Sequence, residues 1–148
     1  MRMTIEGVDI PTRGTVGSAG YDIHAPHDIV LTEGVWTDMI DLGILMEPGD
    51  IPQGCVADIL PRSSTGSKWG LKLRNTTGVI DSDYTMATIK AVLSVDFGYL
   101  RNPEEPPREV VIQKNDRILQ MIVRPFVTIP TEIPPTKVRE GGLGSTGR

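Results

Sequence analysis

A chain of 148 residues, 39% hydrophobic and 23% charged, has the size and composition of one domain with its own core and is too short for two ordinary ones. Its formal charge of −4, from 15 basic and 19 acidic residues, makes no field that would gather a polyanion, which argues against a nucleic-acid partner, and the single Cys55 excludes an intrachain disulfide. No apolar run approaches the roughly 18 residues of a membrane span, and Thr4, Glu6 and Asp9 follow Met1 where a signal core would be apolar; the expectation is a cytoplasmic protein with no membrane contact.

Sixteen Gly and twelve Pro are spread along the whole length and cut the chain into short pieces, which leaves little room for long helices. In chain order, 28–31, 55–60, 88–95, 110–112 and 118–123 are rich in β-branched residues and predict strands. Residues 63–69 give the one helical candidate. Short strands without βαβ crossovers predict an all-β antiparallel sandwich or jelly roll. The proline-rich 102–108 predicts an exposed connection, and 139–148 holds too little apolar mass to fold alone. Cys55 is expected in the core and Trp36 in strand packing. His24 and His27, without a neighbouring Cys or carboxylate spacing, are expected in surface or turn positions and not at zinc.

Four clusters combine turn glycines with polar groups. In Ser18-Ala19-Gly20-Tyr21-Asp22 an acid leads into a strand. Pro61-Arg62-Ser63-Ser64-Thr65-Gly66-Ser67-Lys68 follows an apolar strand and brings hydroxyls to a helix start, where Ser63 is expected as the cap and phosphate is attracted. The Walker spacing is absent. Asn75-Thr76-Thr77-Gly78-Val79-Ile80-Asp81-Ser82-Asp83-Tyr84 predicts a tight hairpin around Gly78 that sets Asn75 near Asp81. An amide that donates and accepts matches a pyrimidine edge, and a fixed carboxylate can deprotonate water. In Asp116-Arg117-Ile118-Leu119-Gln120 the polar Gln120 sits inside an apolar strand and needs a partner.

Taken in order with the tail Gly141-Gly142-Leu143-Gly144-Ser145-Thr146-Gly147, these clusters resemble the five motifs of the homotrimeric deoxyuridine triphosphatase (dUTPase) family across nearly the whole chain. The first four are Ala19-Gly20-Tyr21-Asp22, Pro61-Arg62-Ser63-Ser64, Gly78-Val79-Ile80-Asp81-Ser82-Asp83-Tyr84 and Arg117-Ile118-Leu119-Gln120. The resemblance implies a distorted jelly roll of the β-clip type with at most one short helix, forming one domain over 1–148. It implies a homotrimer whose sites are each built from three chains. The arm 139–148 would cross to a neighbour and order over bound nucleotide.

The implied reaction is hydrolysis of dUTP to dUMP and pyrophosphate by in-line attack of water on the α-phosphorus. Asp81 would activate that water. Asn75, with the backbone of Gly78, Val79 and Ile80, would read uracil, and Tyr84 would lie under the sugar. Arg62, Ser63, Ser64 and Gln120 would hold phosphate oxygens. Arg139, Ser145 and Thr146 would clamp the γ-phosphate, with Leu143 and Gly144 over the base. Mg²⁺ would be bound by the phosphates and water with no direct protein ligand, Asp22 supporting that outer shell or the Asp81 loop.

Leu143 stands where the family usually stacks a Phe, and covers a ring without a π face. Arg139 precedes the glycine pair by one residue fewer than usual. Thr85-Met86-Ala87 carries one extra residue, expected as a bulge. A related dCTP deaminase would need a Glu in Thr88-Ile89-Lys90-Ala91-Val92-Leu93 and an Arg at Ser67, and has neither. A nucleotide-binding regulatory trimer, with or without catalysis and with an unidentified protein partner, is the other alternative.

Overall fold

The computed structural model describes residues 1–98, 104–136 and 139. Among these residues twelve strands and one helix follow one another in the order β1 (Arg2–Met3), β2 (Thr12–Arg13), β3 (Gly20–His24), β4 (Ile29–Thr32), β5 (Ile40–Met46), β6 (Cys55–Pro61), α1 (Ser63–Trp69), β7 (Lys72–Leu73), β8 (Gly78–Asp81), β9 (Ala87–Ala91), β10 (Leu93–Ser94), β11 (Glu109–Ile112) and β12 (Arg117–Pro125). The fold is all-β and jelly-roll-like. α1 is the only helix among the described residues, and none there is long and apolar enough to cross a membrane.

The largest sheet runs β2-β3-β12-β6-β8, and smaller ones pair β1-β5-β9, β10-β7 and β11-β4, every ladder antiparallel. Ile23, Leu42, Ile59, Leu93, Ile112 and Leu119 are fully buried, so strands from all four sheets share one core. In β11 the alternation of Val110 and Ile112 inward with Glu109 and Val111 outward is the period of two expected of a half-buried strand.

The helix and four of the five predicted strands are present within a few residues. The run 88–95 instead breaks at Val92. β9 pairs with β5 and β10 with β7, and the Val92 carbonyl accepts from the Arg74 N–H. β5 was not predicted, because Gly43 interrupts its apolar pattern. That glycine has φ +70°, an added Cβ would stand 2.7 Å from Ile5, and the β5–β9 register shifts between Asp41 and Leu45. Three further expectations are corrected. His24 is buried at the end of β3, with Nδ1 unpartnered among the described residues, while His27 is exposed. Trp36 lies exposed between β4 and β5 because no strand forms there to pack it. Cys55 opens β6 half-buried at the edge of the core.

Gly70 ends α1 in the left-handed region at φ 57°, its N–H bonded to the Gly66 carbonyl at 3.0 Å. A Cβ there would run into the Asp96 carbonyl of the adjoining chain. Gly70→Ala is therefore expected to destabilise the protein by more than the roughly 1–2 kcal/mol of left-handed strain alone, read as a lower denaturant midpoint with an unchanged m-value.

Candidate active site

The turn after β7 is made by Thr76 at φ 65°, whose N–H bonds the Leu73 carbonyl, while the Thr77 N–H bonds that of Asn75. β8 then pairs with β6, Ile59 opposite Gly78 and Val56 opposite Asp81. The expected hairpin around Gly78 is thus not formed. Gly78 opens a strand instead of capping a turn, and a Cβ on it would stand 3.1 Å from that of Ile59; its missing side chain lets β8 approach β6.

Beyond β8 the Tyr84 N–H bonds the Asp81 carbonyl and the Thr85 N–H that of Asp83. The extra residue is absorbed here by a turn with Met86 at φ 57°, not by a ladder bulge. The turn buries the Tyr84 ring, and its hydroxyl donates to the Thr88 carbonyl at 2.8 Å. Burial raises the phenol above its usual value of 10; Asp41 raises it further and Arg139 opposes. Asn75, Gly78, Ile80, Tyr84, Lys90 and Arg139 contribute to the lining of a cavity of about 200 Å³.

Asp81 is exposed at the end of β8. The Arg139 guanidinium donates to Asp81 Oδ2 at 2.5 Å and to Asp83 Oδ1 at 2.9 Å, and sits 5.8 Å from the centroid of the Tyr84 ring. In the single chain Arg139 therefore meets the carboxylates of its own third motif. Leu143, Gly144, Ser145 and Thr146 lie outside the described residues.

A second cluster gathers where α1 meets β12. Asp22 accepts from Arg62 Nε at 2.7 Å and from Arg117 Nη1 at 3.2 Å. Arg62, Ser64, Lys68, Trp69 and Arg117 contribute to the lining of a separate cavity of about 270 Å³. Arg62, not Ser63, is the N-cap, without a side-chain cap bond, and Ser63 and Ser64 are exposed. Gln120 is partnered by the Pro61 carbonyl, to which its Nε2 donates at 3.0 Å, and its amide packs where a Cβ on Gly20 would fall.

The two clusters stand apart. Asp81 lies opposite Val56, and Arg62 follows six residues further along the extended chain of β6, about 20 Å away at roughly 3.3 Å per residue. No group of three or more His, Cys, Asp or Glu among the described residues is placed to hold a metal ion. Sequence reasoning assigned no role to Arg117, the second guanidinium on Asp22, to Asp83, the second carboxylate on Arg139, or to Lys90 in the cavity wall. The charged start of β12 and the paired acids of the third motif were visible signals for the first two, but their partners depend on chain pairing.

The dUTPase family model matches residues 6–147. A deoxyuridine 5'-triphosphate nucleotidohydrolase of Paramecium bursaria Chlorella virus 1 is 35% identical, covering 99% of this chain and 96% of that protein. One from Idiomarina loihiensis is 38% identical, covering 97% and 90%. Among solved structures, the dUTPase of Streptococcus mutans matches with a TM-score of 0.63 at 26% identity over 81% of this chain and 88% of that one. That of Staphylococcus aureus phage phi11 matches with 0.70 at 22% over 94% and 96%, a likeness of fold. With the family model spanning nearly the whole sequence and relatives above 30% identity along it, the chain belongs to the dUTPase family.

Proposed function

We propose that the protein hydrolyses dUTP to dUMP and pyrophosphate in a site assembled between copies of the chain, three in number on the family resemblance. The observation that carries this reading is the third motif: an exposed carboxylate, Asp81, ends the strand that walls a cavity lined also by Tyr84 and Asn75. The cavity takes the pyrimidine nucleoside. Asn75 and the backbone of Gly78, Val79 and Ile80 meet the base edge, and the buried Tyr84 ring lies under the sugar.

Asp81 holds the attacking water and accepts its proton as the oxygen closes on the α-phosphorus. Arg139 must yield or share Asp81 for this to happen, and the incoming triphosphate competes for the guanidinium. Arg62, Ser63, Ser64 and Gln120 of a neighbouring copy bring donors to the phosphates, where charge-assisted contacts stabilise the charge that builds in the transition state. Reaching phosphate requires the Gln120 amide to turn from the Pro61 carbonyl. The segment 139–148, with Leu143, Gly144, Ser145 and Thr146, closes over the nucleotide of another chain.

The donor set fits Mg²⁺ only as an ion carried by the triphosphate. Asp22, Asp81 and Asp83 each already face a guanidinium, and Asp22, with lone pairs beyond its two arginine bonds, can take a metal-bound water in the outer shell. When bound, the ion neutralises phosphate charge.

Pyrophosphate release from dUTP, dTTP, dCTP and UTP with Mg²⁺ tests the proposal. Turnover of dUTP alone is expected. Binding of dUTP without turnover, or ammonia release from dCTP, contradicts it.

A further inference from the structure

We propose that Lys68 is a further substrate-binding residue, whose ammonium donates to the outer two phosphates of the nucleotide, those that leave as pyrophosphate. The inference rests on the reading of Arg62 and Ser64 as phosphate donors. It starts from the cavity of about 270 Å³ where α1 meets β12, in whose lining Lys68 carries a charge that reading leaves unused.

Three cations contribute to that lining, Arg62, Lys68 and Arg117. Two of them are fixed, because Asp22 accepts from both guanidinium groups. A guanidinium has five N–H donors, so each keeps donors that no described residue takes up. Lys68 differs from both: it is exposed, and it has no hydrogen-bond or ion-pair partner among the described residues. The carboxylate in the lining, Asp116, turns instead to the backbone, its Oδ2 accepting from the Gln113 N–H at 2.9 Å. One cation of the cluster is thus left uncompensated beside two whose places are set.

The helix puts that cation next to the phosphate donors. Ser64 and Lys68 stand four residues apart on α1, which brings their Cβ atoms to about 5–6 Å on one face. Both line the cavity, and Arg62 Nη1 donates to the Ser64 hydroxyl at 3.4 Å, so guanidinium, hydroxyl and ammonium share one wall. An anion that engages Arg62 and Ser64 therefore meets Lys68 one turn further on. The α-phosphate must face Asp81 of another copy, which leaves the outer two phosphates for α1. Those two carry most of the triphosphate charge, and a compact ammonium is drawn to it. Trp69, Ile112 and Ile118 add apolar surface to the cavity, against which an ion pair is screened less than in open water.

The test uses the full chain with Mg²⁺ and the variants Lys68→Met and Lys68→Arg. Both are expected to fold, since the side chain is exposed and bonded to no described residue. Lys68→Met should raise KM for dUTP about tenfold with kcat within about twofold, the low end for loss of a hydrogen bond to a charged group because the ammonium is exposed, and Lys68→Arg should restore most of the loss. Inhibition by pyrophosphate should weaken by a similar factor, whereas inhibition by dUMP, which lacks the outer phosphates, should not move. A cation in the last turn also steadies a helix, and that role alone would shift the melting midpoint while leaving KM and pyrophosphate inhibition unchanged. An unchanged KM, or a loss of dUMP affinity as large as that for pyrophosphate, overturns the inference. If the wild type fails to turn over dUTP, the catalytic reading falls, and calorimetric binding of pyrophosphate decides the role of Lys68: weaker binding by Lys68→Met than by the wild type upholds it, and equal binding or none overturns it.

Discussion

Asp81→Asn is expected to lower dUTP turnover by about 10²–10⁴-fold, the range for loss of a positioned general base, while leaving the fold intact. The amide keeps the shape and hydrogen-bonding reach of the carboxylate but cannot take a proton from water. The loss should therefore fall on kcat, with KM for dUTP little changed. Folding is spared because Asp81 lies at the exposed end of β8, where its side chain meets only Arg139 among the described residues, and Asp83 still holds that guanidinium in the variant. An exposed ion pair of this kind contributes little to stability. Stopped-assay pyrophosphate release and a thermal melt on the same preparation check both halves. Turnover near the wild-type rate would move the base elsewhere.

The parts of the fold legible in the sequence are those decided locally. α1 follows from a turn-rich polar stretch between Pro61 and Gly70, and β6 and β12 from β-branched runs that remain strands wherever they pair. β5 was hidden because its strand character depends on Gly43 making room for Ile5, a contact between distant residues. The break at Val92 was hidden for the same reason: the run has uniform strand propensity, and the chain changes partner from β5 to β7 within it. His24 carries no sequence sign of burial, since its place is set by β3 pairing with β12.

The site divides in the same way. Asn75, Asp81 and Tyr84 could be named from one contiguous motif because a single turn and strand position all three. Gly78 was the right residue for a different reason, close strand approach in place of a turn. The pairing of Asp22 with Arg62 and Arg117, and the grip of Arg139 on two carboxylates, join residues 40 to 95 positions apart and have no local signature.

Restoration of activity between two inactive variants is the second large effect expected. Arg62→Ala should lose turnover by removing a phosphate donor, as Asp81→Asn does by removing the base. Because the two positions lie about 20 Å apart along β6 in one chain, the proposed site takes them from different copies. In a closed oligomer each site then draws Asp81 from one subunit and Arg62 from another.

Co-expression of the two variants with different tags, purification of assemblies carrying both, and measurement of dUTP turnover test this most directly. In a three-membered ring that carries both variants, one site of the three receives both intact residues, so the purified mixed oligomers should recover roughly a third of wild-type activity. Activity no greater than the sum of the two separate variants would place Asp81 and Arg62 in one chain's site and contradict the account.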